Sequence, residues 1–197
     1  MGMQEWRGVK FRTKFLKREV PQDMRIDDLR YWISRYGFYN LCQPLSGRSY
    51  GNMSFRIKEG SNEFIITSTG HDFRENIGDD GFVKVLKCNL DKNEVEANGL
   101  EIPSSETFSH YIIYKNRSDI NAVFHGHCMR IVCNIDLGFV STENEKPYGT
   151  ADIALEVEKV LGKENFIIMR NHGFLALGKD IDDAGKITLR AYQKCFQ

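Results

Sequence analysis

The sequence predicts an α/β fold, a single domain with a largely antiparallel central sheet flanked by helices. Three observations carry this. Short alternating or β-branched runs stand at hairpin spacing, as in residues 53–57 and 63–68 around the turn residues 60–62. Longer segments with apolar residues at helical spacing are interspersed with them. No internal repeat, low-complexity tract or Pro/Gly/Ser linker divides the 197 residues, a length that one core can serve.

Each element follows from local chemistry. Residues 1–20 are polar and basic with scattered aromatics, and read as an N-terminal extension, a solvated arm or an extra helix. The domain is expected over 21–197. Residues 21–40 look helical, with Ile26, Leu29, Ile33 and Phe38 on one face and Asp27 and Asp28 suited to the positive helix start. Residues 46–50 read as a Gly/Ser loop, 82–89 as a strand and 91–93 as a turn. Ser104 or Ser105 can cap a helix whose apolar spacing runs over 107–116. A short apolar strand, 122–124, runs straight into His125. An amphipathic helix over 150–161 precedes a strand at 165–169, which ends at Asn171-His172-Gly173. Residues 174–177 continue extended, and Asp180, Asp182 and Asp183 open a last helix over 181–196.

Composition excludes several classes of function. Lys plus Arg and Asp plus Glu each total 27, so the net charge is zero and the basic excess of a general nucleic-acid or membrane-surface binder is absent. No apolar run reaches the ~20 residues of a membrane helix. The basic start of the chain has no apolar core and is not a secretory signal. The five cysteines are odd in number and form no CxxC pair, which points to a reduced, cytoplasmic setting. Cys128 follows His127, where either metal contact or an ordinary small core residue fits.

Four side chains suggest a metal centre. Alternate residues of a strand share a face, so His125 and His127 can reach one ion, and Gly126 adds no bulk between them. An HxH pair also occurs as two ordinary surface or core histidines. His172 sits at a strand end, where functional side chains collect, though a turn histidine bonded to local backbone fits the same position. Glu106 lies at a helix start, where it either complements the helix dipole or, facing imidazoles and a cation, binds metal and moves a proton. A second set, Gly51-Asn52, Thr69-Gly70 and Ser104-Ser105, stands at loop and helix starts that expose N–H groups to an anion. The same residues are common turn formers.

Read together, these segments resemble the class II aldolase/adducin family. The resemblance rests on Gly51-Asn52-Met53-Ser54-Phe55-Arg56, Ile65-Ile66-Thr67-Ser68-Thr69-Gly70 and Pro103-Ser104-Ser105-Glu106 with His110 and Tyr114. It continues through Ala122-Val123-Phe124-His125-Gly126-His127, Tyr148-Gly149-Thr150 and Arg170-Asn171-His172-Gly173 with Gly178. It implies a zinc ion on His125, His127 and His172, for which cobalt or manganese can substitute. It implies Glu106 as ligand and catalytic acid/base, and the Gly51, Asn52, Thr69, Gly70, Ser104 and Ser105 set as the holder of a substrate phosphate. The implied activity is that of a lyase, an aldolase acting on a small phosphorylated ketose through a zinc-stabilised enediolate. A dehydratase of the methylthioribulose-phosphate type, an epimerase of the ribulose-phosphate type and a non-catalytic adducin-like binding module are the alternatives. A homotetramer is implied, with no nucleic-acid or membrane partner. Tyr50 stands where the family usually has Ser, and the stretch from His127 to His172 is short for a sugar-phosphate aldolase.

Overall fold

The computed structural model describes residues 8–45, 48–134 and 137–197. In chain order the elements are β1 (Arg12–Lys17), α1 (Arg25–Phe38), β2 (Pro44–Leu45), β3 (Arg48–Ser49), β4 (Gly51–Arg56), β5 (Phe64–Thr67), β6 (Phe82–Asn89) and β7 (Glu94–Asn98). They continue with α2 (Thr107–Asn116), β8 (Ala122–Gly126), α3 (Met129–Val132), β9 (Val140–Ser141), α4 (Ala151–Val160), β10 (Phe166–Met169), β11 (Gly173–Gly178) and α5 (Ile181–Lys194). Among the described residues, nine strands form one sheet in the order β1-β7-β6-β5-β4-β8-β11-β10-β9. Pairing is antiparallel except at the two edges, where β1 runs parallel to β7 and β9 parallel to β10. The expected α/β domain with a largely antiparallel sheet is what forms.

Period-2 alternation sorts the strand residues onto two helical layers. Phe124, Phe174 and Ala176 face α1 and α5, packing with Leu29, Trp32, Tyr36, Ala184 and Ile187. Val123, Leu175 and Leu177 face α2 and α4, packing with Phe108, Ile112, Ile153 and Val157. The helices hold their own ends: Thr150 Oγ1 accepts from Ile153 N–H, and Asp180 Oδ1 from Asp183 N–H at 2.7 Å. Gly185 lets α5 seat on Trp32, because a Cβ there would stand 2.2 Å from the indole. None of the cysteines is in a disulfide, and no described helix is long and apolar enough to cross a membrane.

Four local expectations change. Within 1–20, residues 12–17 are neither arm nor helix but an edge strand, held by Arg12–Glu94 and Lys14–Glu96 pairs on β7; residues 1–7 lie outside the described part. Its polar alternation serves cross-strand charge pairing, which has no apolar signature. On α1, Phe38 is 79% exposed, and Trp32 and Tyr36 are buried with Ile26, Leu29 and Ile33 instead. In the stretch read as a loop, Arg48–Ser49 pairs with Pro44–Leu45, while residues 46–47 lie outside the described part. Neither Ser104 nor Ser105 caps α2: its N-cap is Glu106, and no side chain closes that end. The second strand of the β6–β7 hairpin, after the 91–93 turn, is an addition to the sequence reading.

Candidate metal centre

Three adjacent central strands share one sheet end. There β4 begins, β8 ends and β11 begins, with Gly51 opposite Gly126 and Gly126 opposite Phe174. His125 lies on β8, His127 just beyond it, and His172 in the tight turn before β11. Asn171 adopts a left-handed φ of 55° there, which turns the chain within three residues. Glycines make room for the rings. A Cβ on Gly173 would stand 2.6 Å from the Gly126 carbonyl and 2.7 Å from His125 Cε1. One on Gly126 would meet the Phe174 ring at 2.5 Å.

The three imidazoles offer nitrogen atoms all within 4.8 Å of one another. His125 Nδ1 is 2.9 Å from the Phe174 carbonyl, so it carries the proton and leaves Nε2 as a lone pair. That Nε2 lies 2.9 Å from His127 Nε2. His127 Nδ1 and His172 Nε2 are buried without a hydrogen-bond partner. Glu106 is 3% exposed; its Oε1 is 3.4 Å from His172 Nε2 and accepts from Gly149 N–H at 2.9 Å. Its Oε2 accepts from Ser109 O–H at 3.2 Å. Tetrahedral coordination with bonds of about 2.0–2.1 Å needs ligand atoms about 3.4 Å apart. Spacings from 2.9 Å to within 4.8 Å bracket that value, and the oriented His125 lone pair and the unpartnered His172 Nε2 suit a single divalent ion.

Electrostatics favour the same states. Burial pushes the His125 imidazole down to about 4, helped by His172 and opposed by Glu106. Burial, with the neighbouring His172 and His125, holds His127 well below the usual imidazole range. Burial alone would raise the Glu106 carboxyl, but His172, His125 and the Gly149 N–H together bring it to about 2. His125 and His127 are therefore neutral and Glu106 an anion at neutral pH, the protonation a metal requires of them.

One consequence concerns stability. His125, at about 4, and His110, which burial brings to about 3, are both depressed in the folded chain. Below pH ~6.5 the unfolded chain takes up protons that these folded sites refuse. Their stabilisation is thus complete above pH ~6.5 and is lost as pH falls toward 4 and then 3, on the order of 3 kcal/mol for each group. Metal-free protein is expected to lose thermal stability steeply across that window, measured by melting at stepped pH. A flat profile from pH 7 to 4 would contradict the burial of neutral rings.

The anion-type residues gather at the same end. Asn52 on β4 lies opposite His125 and is buried, its Oδ1 without a partner. A Cβ on Gly51 would stand 2.3 Å from Cys42 Sγ. Ser68 bridges Pro103, Thr69 N–H donates to Ile102 O, and Ser104 N–H donates to Thr67 O. These bonds set Thr69-Gly70 beside Ser104-Ser105. Gly70 takes φ 91°, a conformation that suits glycine. Cys128 is buried in the apolar layer under α1 and α5 and is absent from the ligand cluster.

Sequence reasoning missed several supports. Gly149 N–H and Ser109 O–H orient Glu106, and the Tyr50 ring stacks on His127 with centroids 5.3 Å apart. Tyr148-Gly149-Thr150 did stand out as a motif, but nothing in its spacing pointed at a carboxylate 43 positions away.

Fold and site together define an α/β domain with a buried centre of three imidazoles and one carboxylate. The model of the class II aldolase and adducin N-terminal domain matches residues 43–195, and the chain belongs to that family as an enzyme of the class II aldolase type. An L-fuculose phosphate aldolase of Methanocaldococcus jannaschii is 31% identical over 168 residues, 75% of this chain and 85% of its own. A methylthioribulose-1-phosphate dehydratase of Bacillus mycoides is 28% identical over 197 aligned positions, 85% of this chain and 88% of its own. A solved L-fuculose 1-phosphate aldolase superposes with a TM-score of 0.71 at 23% identity, over 89% of this chain and 84% of that one, a likeness of fold.

Proposed function

We propose that this chain is a metal-dependent lyase, an aldolase that cleaves a small phosphorylated ketose. The observation that carries this reading is the convergence of three imidazoles with Glu106 Oε1, 3.4 Å from His172 Nε2. Such a ligand set closes one side of an ion and leaves another for substrate. Zinc suits the nitrogen-rich set best, and cobalt or manganese can replace it. Held by His125, His127 and His172, such an ion would supply Lewis acidity toward the oxygen atoms of a ketose.

The chain's own groups do the rest. Glu106, ionised at neutral pH, takes and returns the proton, and Gly149 and Ser109 orient it. Gly51, Asn52, Thr69, Gly70, Ser104 and Ser105 hold the phosphate through N–H and hydroxyl donors. The names of the relatives support a phosphorylated sugar as substrate. The dehydratase reading has its own support, because the relative of that name aligns over more of the chain, 85% against 75%. An epimerase, or an adducin-like module without catalysis, fits the fold with less support from the ligand set.

Purified protein is expected to carry about one ion per chain by elemental analysis and to melt higher when zinc is added. With metal present, fuculose 1-phosphate should release dihydroxyacetone phosphate, and chelation should abolish it. Loss of water from methylthioribulose 1-phosphate in place of cleavage would make it a dehydratase. Metal-loaded protein inert to both sugars would reject the lyase. We propose the chain works as a cytoplasmic homotetramer, and light scattering should give a mass near four chains; a monomer at micromolar concentration would reject that assembly.

A further inference from the structure

His110 is fully buried one helical turn after Glu106 on α2, outside the ligand cluster. Its ring is tied at one nitrogen and unpartnered at the other. Ser54 Oγ, on β4, lies 2.7 Å from His110 Nδ1 and 2.7 Å from the Tyr114 hydroxyl, while His110 Nε2 has no partner within the protein.

Two proton orders are open to this chain of hydrogen bonds, and one of them places a hydrogen on His110 Nε2. In that order the Tyr114 hydroxyl donates its proton to Ser54 Oγ. The single Ser54 proton then goes to His110 Nδ1, and the neutral ring carries its hydrogen on Nε2. Each order leaves one buried proton without an acceptor inside the protein, on the Tyr114 hydroxyl in the opposite order and on His110 Nε2 in this one, and only the second lies one helical turn from a carboxylate that can accept it. Burial keeps the ring neutral, holding it at about 3.

Direction matters next. Helical side chains lean toward the helix N-terminus, the direction in which Glu106 lies from His110. Residues four apart on a helix are neighbours. Glu106 Oε1 faces His172 at 3.4 Å, and His110 stands one turn further along the same helix.

We propose that His110 is a positioning residue for Glu106, its Nε2–H receiving the carboxylate when that carboxylate leaves the His172 side. The inference rests on the lyase reading above and adds the group that catches the acid/base. It gives the buried N–H the acceptor it lacks, through a charge-assisted bond. The Tyr114–Ser54 chain serves to keep the donor on the correct nitrogen.

The test uses full-length, zinc-loaded protein with dihydroxyacetone phosphate as the probe. Long-range proton–nitrogen NMR should show His110 as the neutral Nε2–H tautomer. Adding the probe should move that N–H downfield, and Glu106→Gln should abolish the movement. An Nδ1–H tautomer, or a resonance unmoved by the probe, overturns the proposal whatever the turnover. In exchange of the probe's α-proton with deuterium, His110→Leu should lower the maximal rate about 10- to 100-fold, the scale of one charge-assisted bond, with KM and zinc content unchanged. His110→Gln, which keeps an N–H, should recover most of the rate. Equal losses in the two variants would mark His110 as structural and overturn the proposal. Wild-type protein that binds the probe and moves the N–H yet exchanges no proton would count against the lyase reading alone.

Discussion

Glu106→Gln is expected to slow exchange of the dihydroxyacetone phosphate α-proton by about 10²–10⁴-fold, the usual contribution of a positioned acid/base. In barrier terms that is about 3–5 kcal/mol. The amide keeps the shape of the side chain and an oxygen at the position that faces His172 Nε2 at 3.4 Å. It cannot accept a proton. Gly149 N–H can still donate to the amide oxygen, so α2 should keep its start, and three imidazoles remain to hold metal. The measurement pairs the exchange rate with metal content. Wild-type exchange with metal in place would reduce Glu106 to a ligand or a helix-start residue, and Tyr50, His110 and Tyr148 would be the next proton carriers to examine.

His127→Ala should have a different signature, with metal and activity lost together. His125 and His127 present Nε2 atoms 2.9 Å apart, and removing His127 leaves only the His125 and His172 rings, stacked with centroids 5.2 Å apart. Metal affinity should fall by more than the roughly 10–100-fold that loss of an outer supporting group costs. The zinc-dependent rise in melting temperature should vanish with it. The buried ring also packs against Tyr50, so the melting temperature of the metal-free variant must be recorded beside that of metal-free wild type. A variant that binds zinc as tightly as wild type would remove His127 from the ligand set. The two substitutions separate the roles: one keeps the ion and loses the proton carrier, the other loses the ion.

What the chain states locally is its elements. Alternation along residues 53–57 and 63–68 corresponds to β4 and β5, and residues 82–89 to β6. Thr150 and Asp180 mark the starts of α4 and α5 because their oxygens meet N–H groups three residues on. Side-chain direction on a strand likewise made His125-Gly126-His127 readable as a pair, since period-2 geometry is local. The edge strand β1 was illegible. Its Arg12 and Lys14 gain their meaning from Glu94 and Glu96, 82 positions away. The exposed Phe38 misled for a related reason: helical spacing predicts a face, but the partner layer decides where that face ends.

The sequence by itself determined the fold class, the strand that leads into the two histidines and the types of side chain available for a metal. Only the tertiary structure decided that His172 and Glu106 join them, that Gly149 and Ser109 orient the carboxylate, and that Gly173 leaves room for the rings. It alone decided which nitrogen of His125 carries the proton, through the Phe174 carbonyl across the β8–β11 pairing. Backbone propensity and period act over a few residues and are written in neighbouring letters. Convergence of groups 19 to 66 positions apart depends on strand order, register and layer packing, which are properties of the whole chain.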